Sequence, residues 1–527
     1  MKPASPALKI GRREVLILGA GLVAAPFVLR GGAWADTDLF TLGVASGEPW
    51  PDGFVIWCRL VSDPLAADGL GGMTGPVKVT WQVATDAAMR RVVKTGQVTA
   101  SARLGHSVHV EVAGLQPNRP YYYRFTAAGA QSPVGRTRTA PARGAMVDGL
   151  KLVAASCAHW ETGYFSAYRH MAAENPDLTL FLGDYIYEYS YTGDRAEGRP
   201  RRHDRATECA DLAAYRNRYA LHHTDPDLKA LHQAAPCLAI WDDHEVQNDY
   251  ANTWSQNGGT SETDFRKRRA AAYQAFYEHL PLRRRSLAAP NGDVRIYDRY
   301  QYGGLAEFTT LDSRQYRTIQ PCPVGNSRRG HVAPESCPDL ADPSRTMLGR
   351  EQERWLYDGF KTSTARWNII AQQLLVAAYF QNDNDGHPGH FTDGWDGFQA
   401  NRDRMLSAVA ASNLANPVFL GGDLHAYACT DLKADFRNPA SRTLAAEFVG
   451  TSVTSDSAPA SLLQTLNLNP HVHTLDIAHR GYMSADLTAD RMEMRFQAIS
   501  DRVDPKASVS TLKRYVVEAG KPGAVES

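Results

Sequence analysis

Cys157, Asp184, Tyr187, Asp243, His244, Asp423 and His425 are the side chains whose types and spacing are best suited to hold cations. They fall in four short polar stretches: Ser156-Cys157, Gly183-Asp184-Tyr185-Ile186-Tyr187-Glu188, Asp242-Asp243-His244-Glu245 and Gly421-Gly422-Asp423-Leu424-His425. Singly, each has an ordinary reading. A Gly-Asp pair after a strand is usually a turn, a lone cysteine there is a small buried apolar group, and Asp242 to Glu245 alone is a solvated acidic loop. Asp423-x-His425 is more specific, because alternate residues of an extended segment point the same way and can clasp one ion. The four together carry the signal. Asp184 has two oxygens with which to bridge two ions. A Cys157 thiolate and a Tyr187 phenolate suit a transition metal, iron above all, whereas an all-oxygen second site suits a harder ion such as calcium or magnesium.

The elements that must position these groups are legible around them. Leu152 to Ser156, Leu178 to Leu182, Cys237 to Trp241 and Pro417 to Leu420 are continuous apolar runs of the buried-strand type, each ending where a polar stretch begins. Trp367 to Ala371 is another, and Phe165 to Glu174 has helical periodicity. Strand, helix, strand predicts a layered α/β domain over residues 144–500, with its ligands beyond the strand ends. Before it, residues 36–143 read as short alternating strands, among them Val77 to Val83, His106 to Val112 and Tyr121 to Phe125. That pattern predicts an immunoglobulin- or fibronectin-like β-sandwich with a scaffolding role, joined by the linker Thr139 to Gly144. Arg480 to Ile499 reads as a terminal hairpin, and residues 501–527 as a loosely attached helical tail that covers the cleft.

Two cations between such donors suit a particular reaction. Phosphate esters are anionic and resist hydroxide, so a catalyst gains from cations that neutralise the oxygens and acidify a bound water. At these residues the chain resembles a family. Gly183-Asp184-x-x-Tyr187, Asp242-Asp243-His244-Glu245 and Gly422-Asp423-x-His425 are similar to the motifs of calcineurin-like metallophosphoesterases, in the form used by PhoD-type alkaline phosphatases. Cys157 with Gly163-Tyr164-Phe165, and Leu311 to Arg317, agree. The resemblance implies a four-layer α/β/β/α sandwich and hydrolysis of phosphomonoesters or phosphodiesters. It also implies a ferric ion on Cys157, Asp184, Tyr187 and His425, with calcium on Asp184, Asp243 and Asp423. Most metallophosphoesterases carry Asn at the Asp243 position, so the second ion here faces one more negative charge. His244 would then meet the phosphate or the leaving-group oxygen as a general acid. The reaction expected is in-line attack on phosphorus without a covalent phosphoenzyme. Arg314 is read as an ion pair with Asp312.

The rest of the sequence sets the setting. Lys2, Lys9, Arg12 and Arg13, the apolar run Val15 to Leu29 and Ala33-Trp34-Ala35 form a signal peptide over residues 1–35, with a twin-arginine pair. Export by the twin-arginine machinery, a periplasmic or secreted location and no membrane anchor after processing are expected. With 57 basic and 57 acidic residues there is no global field to recruit nucleic acid or an anionic membrane. The partner expected is a phosphate ester substrate, and no nucleic acid is required. Seven cysteines leave at least one unpaired; Cys322 and Cys337 are the expected disulfide and Cys157 the thiol expected free. Three rival readings remain: a phospholipase D-like activity of the same family, a purple acid phosphatase, and a surface or carbohydrate-binding protein. A purple acid phosphatase would lack Cys157 and would end in Gly-His-x-His.

Overall fold

Apolar runs without alternation bury both faces, and here they assemble two large mixed sheets. The computed structural model describes residues 38–527 apart from Asp204, Pro290, Asn291 and Asn384; the export signal expected over residues 1–35 lies outside the described residues. At the centre of a ten-stranded sheet, Leu150–Ala155, Leu178–Leu182 and Cys237–Ile240 run parallel. At the centre of a seven-stranded sheet, Ala306–Thr310, Trp367–Ala371, Pro417–Gly421 and Thr443–Val449 also run parallel. The period of two then divides each strand between two cores. Ile369 and Leu420 join Val153 and Leu180 in one core, while Ile370 and Phe419 turn the other way to meet Leu356, Phe360 and Met405 from the helices Gly349–Thr362 and Gln399–Ser412. Helices Ser166–Ala173, Leu212–Thr224, Pro226–Ala234 and Glu262–His279 contribute Tyr168, Tyr219, Leu231 and Tyr273 to the larger core. Tyr273 stacks on Trp241 with ring centroids 4.0 Å apart, which fixes the strand end that precedes Asp242. The result is a mixed, sheet-rich α/β fold.

The segment 36–143 is less separate than its sequence suggests. Val44–Trp50, Gly53–Arg59 and Ser107–Val112 extend the ten-stranded sheet, joined to it through the parallel pairing of Gly47 with Cys237. A Cβ at Gly47 would lie 2.6 Å from the Pro281 carbonyl oxygen, so only glycine permits that junction. The other strands, including Val77–Ala84, Val92–Ala100 and Pro120–Ala127, form a five-stranded sheet. Between the two lies a core of its own, with Phe54 and Ile56 against Val79, Tyr123 and Phe125.

The helical tail expected over residues 501–527 is not found. Val509–Glu518 is a strand paired along its length with Arg491–Ile499, so a boundary at residue 500 would split a hairpin. Alternation decides it: Tyr515 and Val517 are buried while Arg514, Val516 and Glu518 are not. Nor does the tail line the cleft described below; only the turn at Arg502 approaches the site. Among the described residues no helix is long and apolar enough to cross a membrane. Cys322 and Cys337 form the expected disulfide, and Cys157 is free.

Candidate metal centre

The two sheets bring the carboxyl ends of their parallel strands to one edge, and the polar stretches meet there. Ser156 and Ser452 form a bridge between the segments that follow the two sheets. Gln373 ties the sheets again, donating to the Trp241 and Leu311 carbonyls, both at 2.8 Å. The chain must turn sharply to aim its ligands inward. Cys157, Asp184, Asp423 and His425 all adopt the left-handed conformation, with φ of 61°, 51°, 59° and 55°. Such backbones are costly for residues with a Cβ and cluster at functional sites. Gly183, φ 100°, lets the loop before Asp184 close on Asp242, whose Cβ would lie 2.6 Å from a Cβ at that position.

Glu245 holds this geometry from beneath. Its fully buried carboxylate accepts the backbone N–H groups of Tyr185 at 2.6 Å, Asp184 at 3.1 Å and Asp242 at 2.7 Å, so one side chain locks two ligand loops together. Tyr187 O–H donates to Asp184 at 3.0 Å and lies 3.1 Å from His425 Nε2. Ser455 Oγ lies 2.7 Å from the Tyr187 oxygen and 3.0 Å from the Cys157 carbonyl oxygen. Arg480 donates to the His425 carbonyl at 2.8 Å and fixes that loop. His244 Nδ1 is 2.7 Å from Glu188 Oε2, which sets the tautomer of the ring.

Ligand atoms of Cys157, Asp184 and His425 lie within 4.8 Å of one another, as do those of Asp184, Asp243 and His244, and those of Asp184, Asp242, Asp243 and Asp423. Asp184 belongs to all three groups. The electrostatics are those of a site short of positive charge. Burial raises Asp184 well above the usual carboxylate range, with His244 opposing and Asp243 and Asp242 adding to the rise. Burial, Asp242 and Asp243 do the same to Asp423. Burial and the neighbouring Asp184 push the thiol of Cys157 and the phenol of Tyr187 up. Burial acts on Asp243 too, but Arg314 and His244 outweigh it and hold that carboxyl below its ordinary value. Its Oδ1 is buried without a hydrogen-bond partner. An orphaned carboxylate oxygen, crowded acids, a thiol and a phenol on one imidazole fit cations. The Cys157, Asp184, Tyr187 and His425 donors suit a softer ion than the carboxylates of Asp184, Asp243 and Asp423.

Similarity to known proteins bears on the same residues. The family model described as PhoD-like phosphatase matches residues 152–496, and that of the PhoD-like phosphatase N-terminal domain matches residues 28–141. The chain belongs to the PhoD-like phosphatase family. Every candidate ligand of this family member, from Cys157 to His425, lies inside the longer match. It is 43% identical over 490 residues to alkaline phosphatase D of Bacillus subtilis (strain 168), covering 92% of this chain and 82% of that protein. A solved structure titled as that of PhoD superposes with a TM-score of 0.86 at 42% identity, covering 93% of this chain and 92% of that one.

The sequence reading misplaced one member of this PhoD-like site and passed over others. Arg314 does not pair its guanidinium with Asp312, whose carboxylate instead accepts from the Arg314 and Gln315 backbone and from Trp241. The guanidinium reaches Asp242 at 2.5 Å and Asp393 at 2.8 Å, and lies 3.7 Å from Asp243. Ser455 was missed, although the polar run Thr451 to Ser455 follows the buried strand Thr443–Val449 in the same manner as the other ligand loops. Asp393 sits in a turn with no apolar strand before it to mark it.

Proposed function

We propose that this PhoD-like enzyme is an exported phosphoric ester hydrolase that holds iron on Cys157, Asp184, Tyr187 and His425 and calcium on Asp184, Asp243 and Asp423. Family membership makes it an alkaline phosphatase or phosphodiesterase. The observation that carries the metal reading is the convergence of thiol, phenol, imidazole and carboxylates on the shared Asp184. When bound, two cations would supply charge neutralisation at the ester oxygens and acidify a water. Asp184 bridges the two halves, and Asp243 is kept ionised by Arg314 beside it. Burial disfavours the His244 imidazolium, but Asp243, Glu188 and Asp184 outweigh it and hold the ring well above the ordinary histidine value. With Nδ1 committed to Glu188, Nε2 is left to give a proton to a substrate oxygen, the act of a general acid.

The layered packing supports a four-layer α/β/β/α reading from residue 144 through the strand Val509–Glu518, and the separate core between Leu39 and Ala127 supports an immunoglobulin-like sandwich whose inner sheet continues into its neighbour. The signal over residues 1–35 supports twin-arginine export to the periplasm or beyond. The purple acid phosphatase and carbohydrate-binding readings have no observation in their favour.

Metal analysis with a visible spectrum, then assays on mono- and diesters, test the proposal. Iron and calcium should both be found, with a phenolate-to-iron band, and Cys157→Ala should shift or bleach that band. A colourless, iron-free protein that hydrolyses no phosphate ester with added calcium would refute the reading.

A further inference from the structure

Asp423 and His425 line a cavity of about 370 Å³ whose other walls are of a different character. Leu375, Tyr379, Phe391, Leu424, Ala458 and Leu462 face it. Tyr379, Leu424, Ala458 and Leu462 belong to a small apolar cluster that reaches the strand Val472–Asp476 through Val472 and Leu475, and Leu375 packs against both that cluster and the core beside the helix Gln399–Ser412. Tyr379 presents its ring: its hydroxyl donates to the Leu462 carbonyl at 2.5 Å and its backbone N–H to Asp396 at 2.8 Å. Phe391, 37% exposed, is the apolar wall that solvent reaches.

Charge narrows the occupant. Among the described residues no lysine or arginine lines the cavity. Four aspartates line it: Asp393 pairs with Arg314 and Arg317, Asp396 with Arg402, Asp249 accepts the Gly330 N–H, and Asp423 belongs to the candidate metal centre. A second anionic group on the substrate would therefore meet carboxylates without a counter-charge. The volume stands at the small end of ligand sites, room for one aromatic ring or a short alkyl chain and not for long acyl chains.

We propose that this cavity is the subsite for a small, uncharged, apolar alcohol group esterified to the phosphate, with Leu375, Tyr379 and Leu462 as its selectivity-determining wall. The inference rests on the phosphoester hydrolase reading above. Binding that is independent of turnover tests it: phenylphosphonate against methylphosphonate on the metal-loaded protein, by calorimetry. Burial of one ring makes phenylphosphonate bind about 10- to 100-fold more tightly. Leu462→Gln and, separately, Leu375→Gln should remove most of that preference and leave methylphosphonate affinity unchanged. Equal affinity for the two phosphonates, or a preference intact in both variants, overturns the proposal. Hydrolysis of phenyl and methyl phosphate, read alongside, separates the two claims. A phosphonate preference without any ester turnover supports the subsite and overturns the hydrolase reading. Turnover of both esters with equal kcat/KM and equal phosphonate affinity overturns the subsite alone, and the absence of both phosphonate binding and ester turnover overturns both.

Discussion

Replacing Arg314 with Met would remove the guanidinium that joins Asp242 to Asp393 beside Asp243 while keeping an unbranched apolar stem. Arg314 is fully buried, and its ion pairs with Asp242 and Asp393 come from chain segments 72 and 79 residues away. Breaking a buried ion pair by removing one partner costs about 3–5 kcal/mol, because the charge left behind has neither partner nor water. Here Asp242 loses its direct partner and Asp243 the cation that lies 3.7 Å away, while Asp393 keeps Arg317, so Arg314→Met should fall within that range. Arg314→Lys should fall between, since an ammonium cannot reproduce the fork that reaches Asp242 and Asp393 together. The sign with pH follows from Asp243, whose folded pKa is held below its ordinary value. Stabilisation from a depressed carboxyl is present above the unfolded pKa and is lost as pH falls through it to the folded value. The penalty of Arg314→Met should thus be largest at neutral pH and above and shrink with acid, first as Asp242, raised by burial to about 6, takes up a proton and then, in strongly acidic medium, as Asp243 does. Urea denaturation at fixed metal concentration across pH measures it, and Asp242→Asn in the variant background, which removes the carboxylate left without its partner, should restore part of the loss. A penalty under about 1 kcal/mol at neutral pH would refute the assignment of Arg314 as the counter-charge of the site.

Two further outcomes are expected. Burial raises Glu447 from 4.5 to about 7, although the Val376 and Ala377 N–H groups and Thr430 Oγ1 donate to it. Because the folded pKa is the higher one, the stability it contributes is complete below the unfolded pKa and lost as pH rises through 7. Glu447→Gln should flatten that fall, whose full size is about 3 kcal/mol, in denaturation midpoints read between pH 4 and 8. Ser455→Ala deletes the hydroxyl 2.7 Å from the Tyr187 oxygen; a hydrogen bond to a phenolate of about 1.5–3 kcal/mol predicts roughly 10- to 100-fold weaker metal retention in chelator competition, and unchanged retention would show that Ser455 supports only the loop.

What the sequence disclosed was local, and what it hid was not. Leu178–Leu182 and Trp367–Ala371 have the limits expected, because a continuous apolar run ending in a polar stretch needs no distant information to be read as a buried strand. The candidate ligands were legible for the same reason: each stands within a few residues of such an end. Arg314 was assigned to Asp312 because that acid is two residues away, whereas its partners lie on other strands' loops and become neighbours only through the fold. Glu245 was visible as part of a motif, but its role rests on accepting N–H groups from Asp184 and Tyr185, and a backbone donor leaves no mark in a sequence. The strand Val509–Glu518, beyond which only the short Val525–Glu526 pairs, failed for another reason. Lys513 shares the face of Tyr515 and Val517 while the apolar Val516 stands on the other, so residue type alternates less cleanly along this strand than burial does.

The left-handed backbones of Cys157, Asp184, Asp423 and His425 connect the fold to the chemistry. Each costs of order 1–3 kcal/mol, and none is a glycine, so the conformation is retained for where it points a donor. The strain is set against interactions that the strands make unavoidable. Glu245 pins the Asp184 loop to Asp242, the Cys157 N–H donates to the Gly183 carbonyl at 3.3 Å, and the Ala158 N–H donates to the Asp184 carbonyl at 2.9 Å. Carboxylates crowded on Asp184 add a further cost, which Arg314 relieves at Asp242 and Asp243 and His244 at Asp184 and Asp243. Cations on these donors would remove that repulsion and leave the strained backbone as a preorganised cage, so affinity for the ions and stability of the strand ends draw on one free energy. A ligand loop freed from Glu245 or Arg314 should therefore weaken metal binding and folding together, whereas changes in the apolar wall beyond Asp423 should leave metal binding unchanged.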